Sequence, residues 1–504
     1  MTAHHIVAML PPAWGHTISY IQAAIQILKA DPSVVITTVQ HNLIVARTET
    51  ELAGCLYDKA RLRIVGVGEK GLVFGPTLFQ VALEQLCAGW LETIAKLVLG
   101  SEAWPKPRAI HFDFLCGGFV VEPTKEIVGP NCKTLVWWSS ALVSMPAHFT
   151  NQDFAAIAKE IYSDDSRRKN RSLEEIEQEV VEASNGTDKL SGIVIQYPGG
   201  PDMYDHERHA YAAGPLGIGA LLVTAQKLGK VADGFIAVTS SCLEPVGIPY
   251  CRDLLKKRNQ ELFTIGMQAH ELCWTNSSTP VAPSDERVRS FLDSAVSQYG
   301  KKSILYISFG SLFFPVATPH LLEALVNTLL DLEQPFPFVF ALGSEMASLP
   351  PELIARINAS GRGLACDFWV EQRAILQHGA VGWFLTHGGF NSMTEALTQG
   401  IPLIIWPVGG EQPVNAAFFS TGPNPVAIEL FQIRAGAQLG SSLHSDAKIT
   451  GTVEDASEEF KAIFSAARCA RGEGLKANVA KLSIALREAR AGEAAEELAR
   501  LAKF

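Results

Sequence analysis

The sequence predicts an α/β protein with two Rossmann-like, doubly wound domains that face each other across a cleft. The chain has 504 residues, of which 47% are hydrophobic and 19% are charged. That length exceeds one ordinary core and suggests two domains of roughly 200 to 250 residues. Short apolar segments alternate with longer helical patterns in both halves, as in parallel sheets wound with helices. A segment rich in turn residues, 268–302, separates the halves.

Six apolar segments in each half predict the strands of the two sheets. In the first half they are 5–10 (HIVAML), 34–40 (VVITTVQ), 62–67 (LRIVGV), 109–114 (AIHFDF), 133–139 (KTLVWWS) and 234–240 (GFIAVTS). In the second half they are 303–310 (SILYISFG), 336–342 (FPFVFAL), 363–369 (GLACDFW), 381–387 (VGWFLTH), 402–408 (PLIIWPV) and 426–430 (VAIEL).

These segments define the predicted domains. We expect an N-terminal domain over 1–267, a linker over 268–302 and a C-terminal domain over 303–472. Residues 145–232 do not follow the strand and helix rhythm, and they predict a helical insertion of the kind that forms surface helices and lids. Within it, GPLGIG (214–219) is a weak nucleotide signal because no strand directly precedes it, so a loop or turn is the favoured interpretation.

Composition excludes several classes of partner. The formal net charge is -10 and no long basic tract occurs, which argues against nucleic acid and anionic membranes. Nine cysteines without a CxxC pair or metal-like spacing predict reduced thiols in a cytoplasmic protein. The N-terminus lacks the basic region of a signal peptide, and no apolar run of about 18 residues predicts a membrane span.

The segment FLTHGGFNSMTEALTQGIP (384–402) predicts a phosphate-binding turn. A buried strand ends at His387, two glycines follow, and a helix begins near Asn391. The first N–H groups of a helix lack intrahelical partners and favour an anion, and His387 adds a donor. Ser392 and Glu395 also spell a capping box, so on local sequence alone a purely structural role is equally open.

Flanking residues complete a pattern suited to a nucleotide sugar. Trp369 offers a flat face for a base, and Gln372 can donate and accept at its edge. Glu411 and Gln412 follow another predicted strand, where they would bind sugar hydroxyls. In open parallel sheets, ligands bind beyond the carboxyl ends of the strands, which is where all four residues lie.

Residues 369–412 resemble the signature box of the UDP-dependent family 1 glycosyltransferases, best known from plant natural-product enzymes. The matching letters are W..Q at 369–372, ILQH at 375–378, G.F.TH.G.NS..E at 382–395, G.P at 400–402, P at 407 and EQ at 411–412. The box spans 44 positions, as in the family. Shorter matches extend over most of the chain except 145–232: YISFGS (306–311), SSCLEP (240–245), FTIG (263–266) and WSSA (138–141). The resemblance implies a GT-B fold, with 473–504 packing back on the first domain.

Carried over by position, the family pattern implies a donor site. Trp369 stacks on uracil, Gln372 contacts the base or ribose, and Glu395 binds the ribose hydroxyls. Glu411 and Gln412 bind the sugar. The diphosphate meets a set of small and polar residues and one imidazole, namely Ser308, Ser311, His387, Gly389, Asn391 and Ser392. Ser139 is a further contact to the sugar.

Three positions depart from the family pattern. Phe390 replaces the usual Trp, and Glu371 replaces the common Pro. Glu411 stands where Asp is usual, so the sugar-binding carboxylate is one methylene longer. The final residue of the box, Gln412, accompanies glucose in the family, whereas His accompanies galactose; we expect UDP-glucose as the donor.

The candidate catalytic residues are His16 and Asp113. A lone histidine at a helix start is more often a surface or capping residue, although an imidazole facing a cleft is also a natural general base near pH 7. A base of this type needs a carboxylate on its other nitrogen, and Asp113 ends an apolar strand where it can supply one. The resemblance matches both positions to the family's catalytic dyad. His4, His5 and His111 are interpreted as ordinary strand or terminal residues.

The resemblance implies an inverting transfer of sugar to an acceptor hydroxyl. We expect no metal and no cofactor, because no DxD-type cluster occurs. Apolar segments of the first domain predict a lipophilic phenol, alcohol or acid as acceptor, and a monomer is expected. Two alternatives stay open: a catalytically silent UDP-sugar-binding protein, and a nucleotide-sugar epimerase on the same architecture.

Overall fold

The structure is a computed structural model that describes residues 4–72, 78–101, 104–149, 153–185, 193–208, 218–274, 282–344 and 346–504. The chain forms two compact units. Unit 1 comprises Met1–Asn185, Ala213–His270 and Glu488–Phe504. Unit 2 comprises Gly186–Ala212 and Glu271–Arg487.

The strands of the described residues follow in chain order. They are β1 (His4–Met9), β2 (Val34–His41), β3 (Leu62–Val67), β4 (Pro107–Asp113), β5 (Lys133–Trp138), β6 (Val194–Ile195), β7 (Met203–Tyr204), β8 (Gly234–Ala237), β9 (Glu261–Thr264), β10 (Ile304–Ser308), β11 (Phe338–Ala341), β12 (Gly363–Cys366), β13 (Val381–Thr386), β14 (Leu403–Ile405) and β15 (Ala427–Glu429).

The α-helices connect these strands. They are α1 (Trp14–Ala30), α2 (Asn42–Ala53), α3 (Leu78–Leu97), α4 (Val121–Val128), α5 (Met145–Phe149), α6 (Phe154–Ser163), α7 (Asp165–Arg168), α8 (Leu173–Asn185), α9 (Ile218–Val231), α10 (Gly247–Lys256), α11 (Glu286–Tyr299), α12 (Pro319–Asp331), α13 (Pro351–Ala359), α14 (Gln372–Gln377), α15 (Phe390–Thr398), α16 (Gln412–Ser420), α17 (Val453–Ala466), α18 (Ala470–Ala491) and α19 (Glu493–Lys503).

Unit 1 contains a parallel seven-stranded sheet in the order β3-β2-β1-β4-β5-β8-β9. Its central strands are buried on both faces, which explains their continuous apolar sequences. The strand order reverses between β1 and β4. That reversal is a topological switch point, where the loops after neighbouring strands diverge and leave a crevice.

Unit 2 repeats the architecture with a parallel six-stranded sheet in the order β12-β11-β10-β13-β14-β15. Trp383, Trp406 and Phe460 lie in its hydrophobic core. The strand order reverses between β10 and β13, so this unit has a switch point of its own. Both sheets therefore have the doubly wound form that the sequence predicts.

All twelve predicted strands are present, but the sequence reasoning missed three others. The four-residue strand β9 lies at the edge of the first sheet, and β6 and β7 form a two-residue antiparallel pair. Two-residue strands carry too few residues for a periodic signal, and β9 has only two apolar residues, Leu262 and Phe263, between Glu261 and Thr264. Residues 218 and 219 of the predicted glycine-rich loop begin α9, while 214–217 lie outside the described residues.

The predicted insertion does not stay with the N-terminal domain. Residues 193–208 belong to unit 2, where the Glu207 carboxylate accepts hydrogen bonds from the backbone N–H groups of Tyr204 and Leu443. Glu207 is fully buried, and Arg434 and His444 lie 3.6 and 3.5 Å from it. A buried carboxylate requires such partners, which explains why this segment follows unit 2.

The linker and the C-terminal segment also differ from their predicted bounds. The second segment of unit 1 ends at His270, and most of the predicted linker belongs to unit 2. The described part of the linker contains α11, where Asp293 lies 3.2 Å from His378 of the same unit. Only Glu488–Phe504 of the terminal segment groups with unit 1, where α19 bonds through Glu493 to Ser241. Among the described residues, no helix is long and apolar enough to cross a membrane.

Candidate active site

The candidate catalytic pair lies at the switch point of unit 1. His16 is in the first turn of α1, directly after β1, and Asp113 is the last residue of β4, the neighbouring strand. The two side chains meet because parallel strands end at the same edge of the sheet, although 97 positions separate them in sequence. Ser139 follows β5, the next strand along that edge.

The geometry of the pair orients the imidazole. His16 Nδ1 lies 2.9 Å from Asp113 Oδ2, and the backbone N–H of Leu115 donates to Oδ1 of the same carboxylate at 2.9 Å. Asp113 is fully buried, whereas the His16 side chain is 21% exposed. A carboxylate is a stronger hydrogen-bond acceptor than a neutral oxygen, so the proton on Nδ1 points to Asp113. Nε2 is then the basic nitrogen of the ring, as a general base requires.

Ser139 contacts the catalytic imidazole directly. Its Oγ lies 2.9 Å from His16 Nδ1, the nitrogen that also faces Asp113. The structure thus gives Ser139 a place beside the base, and its predicted contact to the sugar stays a prediction. The buried His5 and His111 have structural neighbours in Thr37 and Tyr20, and burial lowers their pKa values to about 4 and 3.

His387 lies at the switch point of unit 2, between β13 and α15. Its side chain is buried, and this burial lowers its pKa to about 4, so the ring is neutral at pH 7. A Cβ on Gly389 would lie 2.3 Å from His387 Nε2, and one on Gly310 would lie 2.7 Å from Cε1. The imidazole therefore occupies a slot between two glycines.

This slot explains why neither glycine after His387 can carry a side chain. The space beside Gly389 holds the His387 ring. Gly388 has a φ of +86° and would place a Cβ 2.7 Å from Ile405 Cγ2, so its backbone conformation and its packing both require glycine. The buried Asn415 amide donates to the Gly388 carbonyl at 3.0 Å and holds the turn against α16.

Thr386 is a residue that the sequence reasoning missed. Its Oγ1 lies 3.3 Å from His387 Nδ1 and accepts the backbone N–H of Gly388 at 3.4 Å. When the Thr386 hydroxyl donates to Nδ1, the neutral ring carries its proton on Nε2. Adjacency to His387 was the only sequence signal for this role.

The first turn of α15 excludes the capping-box alternative. The N-cap is Gly389 and has no side-chain cap bond, so Ser392 lies inside the helix at its third position. Asn391 lies in the same first turn. The Glu395 carboxylate instead accepts a 2.7 Å hydrogen bond from Gln372 Nε2, which lies 3.5 Å from Ser392 Oγ. Gln372 and Glu395, which are 23 positions apart in sequence, therefore form one hydrogen-bonded pair in the site.

Trp369 and Gln372 lie just beyond β12, on the same edge of the sheet. The Trp369 side chain is 56% exposed, an unusual exposure for an indole. Its backbone packs tightly on Gly343, where a Cβ would lie 2.6 Å from Trp369 Cα. The site therefore presents a large aromatic group on a fixed backbone, while the adjacent Glu371 accepts the N–H of Ser284 at 2.6 Å.

Gln412 begins α16 and is buried. Its Oε1 accepts the backbone N–H groups of Val408 and Gly409, each at 2.8 Å. The side-chain oxygen thus shapes the loop after β14, and the amide Nε2 is the group that would reach a sugar hydroxyl. Glu411 is the N-cap residue of the same helix.

The two predicted serines border the loop after β10. Ser308 is the last residue of β10, and its Oγ accepts the N–H of Gly310 at 3.4 Å. The carbonyl of Ser311 accepts a hydrogen bond from the Ser344 hydroxyl at 3.1 Å. The loop also carries Phe313, which stacks on the His387 ring at 5.8 Å.

Comparison with solved structures identifies the fold. A UDP-glucosyltransferase from Polygonum tinctorium, in complex with 3,4-dichloroaniline, is 18% identical with a TM-score of 0.68, and the match covers 99% of this chain and 98% of that one. Phytolacca americana UGT2, complexed with UDP-2-fluoro-glucose and pterostilbene, is 17% identical with a TM-score of 0.65, and each chain is 99% covered. The fold is that of the GT-B glycosyltransferases.

Sequence comparison then gives the proteins that this chain resembles. Residues 278–439 match the family model described as "UDP-glucoronosyl and UDP-glucosyl transferase". UDP-glycosyltransferase eriJ of Hericium erinaceus is 27% identical, with 96% of this chain and 95% of that protein covered. A flavonoid 3-O-glucosyltransferase of Medicago truncatula is 39% identical over 24% of this chain and 25% of its own length. Residues 278–439 thus carry the likeness to the UDP-glycosyltransferase family model, and the likeness to the relative from Hericium erinaceus extends over nearly the whole chain.

Proposed function

We propose that the protein is an inverting glycosyltransferase that moves glucose from UDP-glucose to a hydroxyl group of a lipophilic small molecule. The observation that carries the proposal is the pair of His16 and Asp113, an imidazole 2.9 Å from a fully buried carboxylate at the switch point of unit 1. This is the arrangement that activates a hydroxyl nucleophile near neutral pH.

The chemical step is a single displacement. His16 Nε2 removes the proton of the acceptor hydroxyl, and the oxygen forms a bond to the anomeric carbon. The bond from that carbon to the diphosphate breaks, and UDP leaves with the electron pair. Attack opposite the leaving group converts an α-linked donor to a β-glycoside. Asp113 stabilises the imidazolium that forms.

The donor is proposed to bind unit 2 through the residues around its switch point. Trp369 stacks on uracil, and the bonded pair of Glu395 and Gln372 meets the ribose. The neutral His387 donates its Nε2 proton to the diphosphate, together with the N–H groups at the start of α15. Fixed donors of this kind stabilise the charge that develops on the leaving group.

Glucose is the proposed sugar because Gln412 ends the signature box. Its amide nitrogen is the donor for a sugar hydroxyl, since its oxygen is bonded to Val408 and Gly409. Sugar choice varies among similar proteins, which include a nuatigenin 3-beta-glucosyltransferase of Solanum aculeatissimum and a rhamnosyltransferase of Citrus maxima. Rates with UDP-glucose, UDP-galactose, UDP-xylose and UDP-N-acetylglucosamine test this choice, and a rate with another donor above that with UDP-glucose would contradict it.

The acceptor is proposed to be a phenol, alcohol or acid with an apolar body. The His16 ring lies 5.4 Å from the Phe114 ring, which in turn packs on Trp138 at 4.6 Å. Aromatic surroundings of this kind favour a lipophilic group next to the reacting hydroxyl. The chemistry is proposed to need no metal, so EDTA should leave the turnover rate unchanged.

One assay separates this proposal from its alternatives. Purified protein is incubated with UDP-glucose, with and without a panel of phenols and terpenoid alcohols, and UDP and the product are measured. We expect UDP release only with acceptor, and a product whose anomeric proton shows the coupling of a β-glucoside. Conversion of UDP-glucose to UDP-galactose without acceptor would identify an epimerase. UDP binding without turnover of any donor and acceptor would identify a silent binding protein.

A further inference from the structure

Unit 1 contains a cluster of metal-ligand side chains outside the candidate active site. Glu51 is in the last turn of α2, Cys55 follows four residues later, and His270 ends the segment after β9. One carboxylate oxygen, the Cys55 Sγ and one imidazole nitrogen all lie within 4.8 Å of one another. The imidazole comes from more than two hundred positions away in sequence, so the cluster exists only in the folded unit.

The three groups are those that zinc selects. Thiolate, imidazole and carboxylate bind zinc at about 2.0 to 2.3 Å, so tetrahedral ligands lie about 3.3 to 3.7 Å apart. His270 Nε2 lies 4.0 Å from Glu51 Oε1. Contraction of roughly 1 Å or less, within the reach of side-chain rotation, would bring the three atoms to bonding distances.

The surroundings of the cluster suit a bound cation. The side chains of Glu51 and His270 are only 15% and 3% exposed, so little water competes with them for a bound cation. The buried Gln22 amide donates to Glu51 Oε1 at 3.3 Å and to Cys55 Sγ at 3.7 Å. Hydrogen bonds of this kind orient the ligands of a metal. Cys55 is half-buried, which leaves a path for the ion.

We propose that unit 1 binds one zinc ion through Glu51, Cys55 and His270, with water as the fourth ligand. A thiolate, a carboxylate and a neutral imidazole balance the two charges of the ion, and binding releases the thiol proton to solvent. The three ligands share no residue with the catalytic pair or with the predicted donor residues, so the proposal does not depend on the proposed function. Its alternative is an imidazolium–carboxylate ion pair without metal.

Cobalt titration of the full-length protein tests the proposal, since Co²⁺ replaces zinc and reports thiolate ligation by a charge-transfer band in the near ultraviolet. We expect the band to saturate at one equivalent and to disappear on addition of zinc. Cys55→Ser should remove it, and Cys242→Ser, a change at an exposed cysteine, should leave it intact. Gln22→Leu should weaken cobalt binding about 10- to 100-fold.

The same experiment can overturn the proposal. A band that persists in Cys55→Ser, or the absence of saturable cobalt binding to the wild-type protein, would leave the ion pair as the explanation of the cluster. Alkylation of Cys55 gives a second measurement on the wild-type chain, so the test does not depend on the folding of a variant. Zinc should slow iodoacetamide labelling of Cys55 at least tenfold without changing that of Cys242, and equal slowing at both would contradict the site.

Discussion

At the scale of single residues, the slot around His387 fixes the position of the ring that is proposed to meet the diphosphate. The imidazole lies between Gly310 and Gly389, and the Thr386 hydroxyl lies 3.3 Å from its Nδ1. Only Gly389 has an ordinary φ of -65°, so adding a methyl group there displaces the ring without straining the backbone. The position therefore separates the placement of His387 from the stability of the turn.

We expect Gly389→Ala to lower UDP affinity at least tenfold. The added Cβ would lie 2.3 Å from His387 Nε2, so the ring must leave its slot. Isothermal titration calorimetry with UDP measures the effect. Gly379→Ala is the matched control, because a Cβ there meets nothing within 4 Å. Equal affinity of the two variants would show that the position of the His387 ring does not matter for the diphosphate.

Trp369 gives a second prediction at this scale. Stacking of a base on an aromatic ring contributes about 1–3 kcal/mol, so Trp369→Ala should weaken UDP binding about 5- to 150-fold. Because the indole is 56% exposed, the melting temperature should change little. Trp369→Phe keeps a stacking face and should retain most of the affinity. A fully retained affinity in Trp369→Ala would mean that uracil binds elsewhere.

The local sequence around Gln372 and Glu395 could not decide between a site and a helix cap. Ser392 and Glu395 have the spacing of a capping box, and the alternative was excluded only when α15 was found to begin at Phe390. Helix boundaries shift by one or two residues with tertiary contacts, so the sequence does not fix which residue is the cap. The hydrogen bond from Gln372 to Glu395 is a tertiary contact, and no local pattern contains it.

At the scale of elements, α16 supports the loop after β14 through Gln412, the residue that is proposed to bind the sugar. Gln412 Oε1 accepts two buried backbone N–H groups, and Asn415 on the next turn donates to the Gly388 carbonyl. The helix thus connects the loop after β14 with the turn after β13. A change at Gln412 is therefore expected to affect the stability of this loop, whatever its effect on the proposed sugar contact.

We expect Gln412→Ala to lower the free energy of unfolding by about 2 kcal/mol or more, since each buried N–H without an acceptor costs about 1–3 kcal/mol. Urea denaturation measures the loss. Gln412→Glu keeps an acceptor oxygen at the same place and should lose less. If both variants unfold at the wild-type urea concentration, the side-chain oxygen does not support the loop.

The strands were predictable because their apolar runs are long enough to stand out, whereas the placement of the insertion was not. Residues 193–208 join unit 2 through Glu207, which meets Arg434 and His444 more than 200 positions later. The sequence around Glu207 gives no signal that its partners lie so far along the chain. The cluster of Glu51, Cys55 and His270 was missed for the same reason. The spacing of cysteines along the chain does not show which imidazole from another segment lies beside them.

At the scale of the whole molecule, several buried imidazoles make the free energy of unfolding depend on pH. Burial lowers the pKa values of His5 and His387 to about 4 and that of His111 to about 3, below the ordinary value of 6.5. The unfolded chain therefore binds more protons between about pH 6.5 and 4. Their contribution is complete above pH 6.5 and is lost as the pH falls. Glu459 acts in the opposite direction, because burial raises its pKa to about 7.

The pH dependence of the unfolding free energy should differ between the wild-type protein and His387→Asn. Each imidazole contributes a slope of about 1.4 kcal/mol per pH unit between pH 6.5 and 4.5. The unfolding free energy of the variant should therefore fall less steeply with acid by about that amount, while the two slopes agree above pH 7. Urea denaturation at a series of pH values measures both. Parallel curves throughout would show that His387 is protonated as readily in the folded protein as in the unfolded chain.

The architecture as a whole followed from sequence because both units repeat one rule. Polar residues lie after apolar strands, and the switch points of the two sheets bring His16 to Asp113 and place His387 at the end of β13. The order of the strands in each sheet was known only from the structure, since apolar segments do not show which strands are neighbours. The resemblance of the signature box supplied the donor residues that strand patterns alone could not assign.

The most direct test of the account is the activity of His16→Ala and Asp113→Asn with UDP-glucose and a phenolic acceptor, measured together with UDP affinity. We expect kcat to fall about 10²- to 10⁴-fold in both variants, because one lacks the general base and the other lacks the carboxylate that sets its tautomer. UDP affinity should be unchanged, and His320→Ala, a change at an exposed histidine, should match the wild-type protein in both measurements. Wild-type turnover in His16→Ala would contradict the central claim that this imidazole activates the acceptor.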